Sequence, residues 1–346
     1  MKHFIFGMDS KNPAACARML REHGYQAVVC SDFSLETASA LEAEGIEMYL
    51  SFGAYGAGKD SDRLAQDAFG EKRGWFNSGC PNDQANAKRH LDAVLEKAAQ
   101  LPQVRGILVD GARFASFASV EGVESFFTCF CPSCMQAMAD MGLDAEKIRR
   151  TVARLMTSRA PQSGDEAPLQ QWLAFREETV QRYMDDFAAR VHALRPDLIA
   201  GAFIFAPSLG VFVGQTMNAC RSLDVISHML YRDYHQEYGV ACLGHEWAAL
   251  TGGFGENAHA FIRACSPNHA FSVDRTPAQL LERGFPPDWV RAEVAHAHAS
   301  VRPGQRLWPI LQIDDDCLQE TDRLAFEGGA DAVGYFAYGN GAVPQF

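Results

Sequence analysis

Three cysteines fall close together in Cys129-Phe130-Cys131-Pro132-Ser133-Cys134, and Cys80 stands upstream in a Ser78-Gly79-Cys80-Pro81-Asn82 turn. Thiolates at a CxCxxC spacing fold around one soft cation, and a tetrahedral structural zinc takes four such ligands. Cys80, Cys129, Cys131 and Cys134 are therefore the expected ligands of a structural Zn²⁺. The bland alternative is unpaired thiols packed as small hydrophobes. A redox role is weaker, because no CxxC opens a thioredoxin-like helix.

Acidic and aromatic residues recur at the ends of apolar runs. Asp9 follows FIFGM, Asp110 closes GILVD, and Asp314, Asp315 and Asp316 follow LQI. Arg113, His228, Tyr231, Arg232 and Tyr338 hold similar positions, and Trp75 lies in a long loop able to reach over them. A pocket ringed by carboxylates, Tyr and Trp suits a polyhydroxylated substrate, whose apolar faces stack on rings and whose hydroxyls bond to acids. Two opposed carboxylates divide the work of hydrolysis. One, protonated, donates to a leaving oxygen; the other attacks or activates water.

Asp110 is one expected catalytic group and Asp314 or Asp315 the other. Period-two alternation puts Gln312 and Asp314 on one face and Asp315 on the other, which favours Asp314. The expected substrate-binding set is Asp9, Trp75, Arg113, His228, Tyr231, Arg232, Gln312 and Tyr338. The structural alternatives are an Asp110–Arg113 salt bridge and an Asp316 N-cap to a helix starting at Cys317. Histidine spacing offers no catalytic metal site: no HxH ends the first run, HExxH is absent, and His296 and His298 stand at i and i+2 of an expected helix, where they point apart. GxSxG and GxxxxGK[ST] are also missing.

Elements that bring these residues to one rim can be read along the chain. Apolar runs alternate with helical patterns, the signal for repeated βα units and a parallel sheet. The strands are expected at Phe4–Met8, Ala27–Ser31, Glu47–Gly53, Gly106–Arg113, Ile199–Phe205, Val225–Tyr231, Leu307–Ile313 and Ala332–Tyr338. Helices are expected from Asn12-Pro13 to Gly24, over Leu35–Glu44 and Gln84–Gln100, around Met135–Met141 and Ala145–Met156, and after a polar linker at Ser158–Pro168. Eight such strands fit one (β/α)₈ TIM barrel domain over 1–346, with loop insertions at 54–82 and 115–168 after strands three and four and at 232–306 after strand six. The rival open doubly wound sheet lacks its GxGxxG after strand one.

The 346-residue chain carries a formal charge of −12, which argues against a nucleic-acid partner. Leu198 to Cys220 has no charged residue, but Gly201, Pro207, Gly210 and Gly214 interrupt it, so a strand, a turn and a helix fit better than a membrane span. The N-terminal residues MKHFIFGMDS do not read as a signal peptide, and a cytoplasmic protein with reduced thiols is expected. Self-association is left open.

The order of CPND, GILVDGARF and CFCPSC resembles (β/α)₈ glycoside hydrolases of bacterial genomes. The cysteine cluster is similar to the zinc site of glycoside hydrolase family 42 β-galactosidases, whose ligands would correspond to Cys80, Cys129, Cys131 and Cys134. That family's acid/base and nucleophile are both Glu, at the ends of strands four and seven, with Asn before the first. Here strand four offers Asp110 after Val109, and strand seven offers Asp314 and Asp315. The resemblance implies a carbohydrate or glycoconjugate substrate. The alternatives are a non-catalytic carbohydrate-binding or scaffold barrel, and an enzyme whose Asp cluster binds Mg²⁺.

Overall fold

Short runs rich in Val, Ile, Leu and Phe pair in register as parallel strands, buried on both faces, as sheets wrapped by helices require. In a computed structural model of the chain, residues 2–8, 11–58, 61–75, 78–118, 122–232, 243–269 and 275–336 are described; Asp9 and Tyr338 lie outside them. β1 (His3–Phe6), β2 (Ala27–Cys30) and β3 (Glu47–Gly53) precede a small hairpin of β4 (Ala65–Gln66) and β5 (Lys72–Arg73). Then follow β6 (Val104–Asp110), β7 (Ile199–Phe205), β8 (Val225–Met229), β9 (Arg306–Leu307), β10 (Ile310–Gln312) and β11 (Val333–Phe336).

The order β1-β2-β3-β6-β7-β8-β10-β11 returns to β1, so eight parallel strands close a barrel. The expected seventh strand is split into β9 and β10, both paired to β8. Pro309 stands between them and has no N–H to give the ladder, although its carbonyl accepts from the Gly334 amide at 2.8 Å. The fourth strand starts earlier than expected and ends at Asp110, where Gly111 turns the backbone through a left-handed conformation (φ 64°).

Alternation along each strand sends one set of side chains inward. Phe4, Val29, Tyr49, Leu108, Phe203, Val225, Trp308 and Ile310 fill the lumen. Gly334 on β11 leaves room there: a Cβ would meet the Phe4 ring at 2.1 Å. Phe6, Phe203, Phe336 and Tyr231 join through ring contacts of 5.2–5.5 Å toward the C-terminal ends of the strands.

The outer layer holds α1 (Pro13–Glu22), α2 (Leu35–Ala43) and α3 (Gln84–Gln100), then α4 (Pro132–Asp140), α5 (Ala145–Ser158) and the 29-residue α6 (Glu166–Leu194). After β7 comes the short α7 (Pro207–Val213), and between β8 and β9 lie α8 (Leu243–Phe254), α9 (Ala258–Cys265), α10 (Pro277–Arg283) and α11 (Asp288–His298); α12 (Leu318–Glu327) precedes β11. The uncharged Leu198–Cys220 stretch thus resolves into β7, a turn and α7. Among the described residues no helix is long and apolar enough to cross a membrane.

Candidate functional site

Asp110 is the last residue of β6, two places beyond the lumen residue Leu108, so it stands inward at the mouth. Its Oδ1 accepts the Gly111 amide at 2.7 Å, the only hydrogen bond to its carboxylate among the described residues. Burial raises its pKa above the ordinary carboxylate value, and the Arg113 charge opposes that rise. The expected alternative of a salt bridge to Arg113 is not formed among the described residues.

Arg113 is held instead by rings. Its guanidinium lies 4.1 Å from the centre of the Trp75 ring and 4.4 Å from that of Phe205, and Nη1 donates to the Phe114 carbonyl at 3.0 Å. Burial lowers its pKa to about 10, opposed by the charges of Glu246 and Asp110. Glu246, on α8, was not anticipated from the sequence. It is buried, accepts from Ser116 Oγ at 2.6 Å and from the Ala118 amide at 2.8 Å, and so pins the loop that carries Arg113. The available signal was its place as the one charged residue in the apolar helix LGHEWAALTGGF. Burial pushes its carboxyl up.

Tyr231 is buried among the lumen aromatics, and its phenol is pushed up by burial and by the Asp110 charge. Gln312 ends β10 and is buried, and the half-buried Asp314 lies in the turn that follows. Asp315, the other expected partner for Asp110, is instead committed to Arg232: Nε donates to Oδ1 and Oδ2 at 2.9 Å each, and both side chains are buried. Arg232 also contacts Asp316 and donates to the Phe285 carbonyl at 3.0 Å. Its fork therefore ties the β8 end to the β10 end rather than offering itself to a substrate. Asp315, not Asp316, accepts the Cys317 amide, at 2.9 Å ahead of α12. Oxygens of Asp315 and Asp316 lie near Cys317, but the guanidinium already supplies the cation that Mg²⁺ would bring.

Removing one partner of a buried, hydrogen-bonded ion pair strands the other charge. Asp315→Asn is expected to cost about 3–5 kcal/mol, measurable as a lower denaturation midpoint; an unchanged midpoint would contradict the locking role.

His228 does not join the mouth. Val225 packs in the lumen and Ile226 in the outer layer, so alternation turns His228 outward. It lines a separate cavity of about 600 Å³ with Ser208, Glu293 and His296, and burial holds its pKa down to about 3.

Cys80, Cys129, Cys131 and Cys134 are buried, with all four sulfurs within 4.8 Å of one another. Cys80 lies 3.3 Å from both Cys131 and Cys134. Four sulfurs at ~2.3 Å from a tetrahedral metal are ~3.8 Å apart, so the set fits one ion. The Gln66 and Asn82 amides donate to Cys129 and Cys80, and Asn82 Nδ2 to Cys134, each at 3.3 Å, as thiolates require. Buried Arg176 donates to the Phe212 carbonyl at 2.6 Å and stacks 3.8 Å from the Trp172 ring centre. Its charge interacts with Cys129 and Cys134, offsetting the negative charge of a tetrathiolate. The cluster joins the loops after β3 and β6, and the first of these carries Trp75 onto Arg113.

No family model and no curated protein matches the chain. Solved structures do. The β-galactosidase of the Antarctic haloarchaeon Halorubrum lacusprofundi superposes with a TM-score of 0.63 at 17% identity, over 98% of this chain and 53% of that one. The enzyme of the psychrophilic Marinomonas ef1 gives 0.63 at 13%, over 98% and 54%. A family 42 β-galactosidase from G. stearothermophilus gives 0.58 at 10%, over 96% and 51%. The chain shares its fold with glycoside hydrolases. It spans about half the length of these enzymes.

Proposed function

We propose that the chain is a glycoside hydrolase in which Asp110 protonates the departing glycosidic oxygen. The observation that carries this reading is Asp110 itself: a carboxyl raised by burial, at the C-terminal end of a barrel strand, with one hydrogen bond from Gly111 and no ion pair among the described residues. A carboxyl that holds its proton is what a departing alkoxide needs. Asp314 is the proposed second carboxylate, because Arg232 occupies Asp315. It would attack the anomeric carbon or take a proton from water, the choice following from the separation of the two acids. Tyr231, Gln312 and Trp75 would bind and orient sugar hydroxyls and faces, with Asp9 and Tyr338 as further contacts.

The metal proposed at the four cysteines is zinc, in a structural role, fixing the two loops without touching substrate. The described cysteines are all free, which supports a reducing, cytoplasmic setting. The proposed substrate is a carbohydrate or glycoconjugate rather than nucleic acid or membrane.

Turnover is tested with a panel of 4-nitrophenyl glycosides against the wild type. A binding or scaffold barrel would bind sugar without releasing nitrophenol. For the enzyme, kcat/KM should fall on the alkaline side as pH rises through the raised pKa of Asp110, above the usual ~3.9 of aspartate, and on the acid side as the second carboxylate gains a proton. Arg113 pulls that pKa down, so Arg113→Met should move the alkaline limb to higher pH. An unmoved limb would separate Asp110 from the titration.

A further inference from the structure

We propose that the mouth selects an anionic sugar, a glycoside bearing a carboxylate such as a uronic acid, and that Arg113 is the group that reads it. This rests on the reading of the mouth as the place where the glycosidic bond is cleaved.

Arg113 is 6% exposed, and two rings pack against its guanidinium, Trp75 at 4.1 Å and Phe205 at 4.4 Å. The N–H groups of the guanidinium are what it offers for recognition. One of them goes to the Phe114 carbonyl, and no other side-chain hydrogen bond of Arg113 is formed among the described residues. The remaining donors are not among the buried side-chain nitrogens left without a partner, so they keep access to water and stand open to an acceptor from outside the protein.

The two nearby acids do not fill the role. Glu246 spends its oxygens on Ser116 and Ala118, and Asp110 takes the Gly111 amide; both act on Arg113 through space, without a salt bridge among the described residues. A carboxylate matches the fork with two parallel N–H···O bonds, which a hydroxymethyl group cannot do. Arg113 lies three residues past Asp110 in the turn that leaves β6, close enough for the two charges to interact, so a sugar held by its acid group is held close to the proton donor.

The test uses pairs of 4-nitrophenyl glycosides that differ only at C6: β-glucuronide against β-glucoside, and α- and β-galacturonide against the matching galactosides. Wild type should favour the uronide of at least one pair by about 10–100-fold in kcat/KM. Arg113→Met should bring that ratio toward one, with Arg113→Lys in between. Equal kcat/KM within every pair overturns the anionic selection and leaves the hydrolase reading intact.

A second arm uses wild type alone, so it survives a variant that fails to fold: free glucuronate and galacturonate should raise Tm where glucose and galactose do not. That shift without turnover of any glycoside sinks the hydrolase reading and keeps the anion site. A shift with glucose 6-sulfate but not with the uronates overturns the carboxylate, and no shift with any acid sugar overturns the proposal.

Discussion

Asp110→Asn is expected to lower kcat on the wild type's best glycoside by about 10²–10⁴-fold, with Tm and sugar binding retained. The amide keeps the size of the side chain and can still accept the Gly111 amide, so the fold has little reason to respond. What it loses is the carboxyl group whose pKa burial raises, and with it the proton that it could donate. The loss should be largest for poor leaving groups and smallest for 2,4-dinitrophenyl glycosides, which depart without protonation. Steady-state kinetics on the two classes checks this. Equal losses on both would move Asp110 from acid to a positioning role, and full activity would remove it from the reaction.

Cys131→Ser is expected to abolish metal content and cost more than about 4 kcal/mol of stability. The four buried sulfurs converge from two loops, and without the ion nothing joins those loops at this point. The loop after β3 that ends at Cys80 also presents Trp75, so the rings around Arg113 should loosen with it. Metal analysis beside thermal melts reads the effect. Activity should fall in step with folded fraction, restored by cooling. A variant that is metal-free, fully stable and inactive would mean that the metal takes part in the chemistry.

How far the sequence reveals this site depends on the range of the contact. Strands buried on both faces read as unbroken apolar runs, so GILVD and IAGAFIF stand out, and CxCxxC is legible because three ligands are local. The place of Asp110 at the mouth is legible because its strand ends where the apolar run does. His228 was misread by one step of register: strand-end position suggested the mouth, whereas alternation points it outward beside Glu293.

Arg232 and Asp315 each looked like site residues, because pairing across the barrel ends leaves no mark on either segment. Glu246 reaches Ser116 across a gap of 130 residues. The apolar helix around it marks the residue as unusual, but nothing local tells what it meets. Pro309 lies inside the strand expected over Leu307–Ile313, and its missing N–H accounts for the break between β9 and β10.

The most direct measurement is a crystal structure of Asp110→Asn with an uncleaved glycoside bound. The two-carboxylate reading predicts the sugar in the mouth, the residue-110 side chain within ~3 Å of the glycosidic oxygen, and the Asp314 carboxylate on the opposite side, with ~5–10 Å separating the two side chains. A separation near 5 Å predicts a retained anomeric configuration, and one near 9 Å an inverted one. A glycoside seated away from residue 110, or an Asp314 turned from the anomeric carbon with no acid in its place, would contradict it.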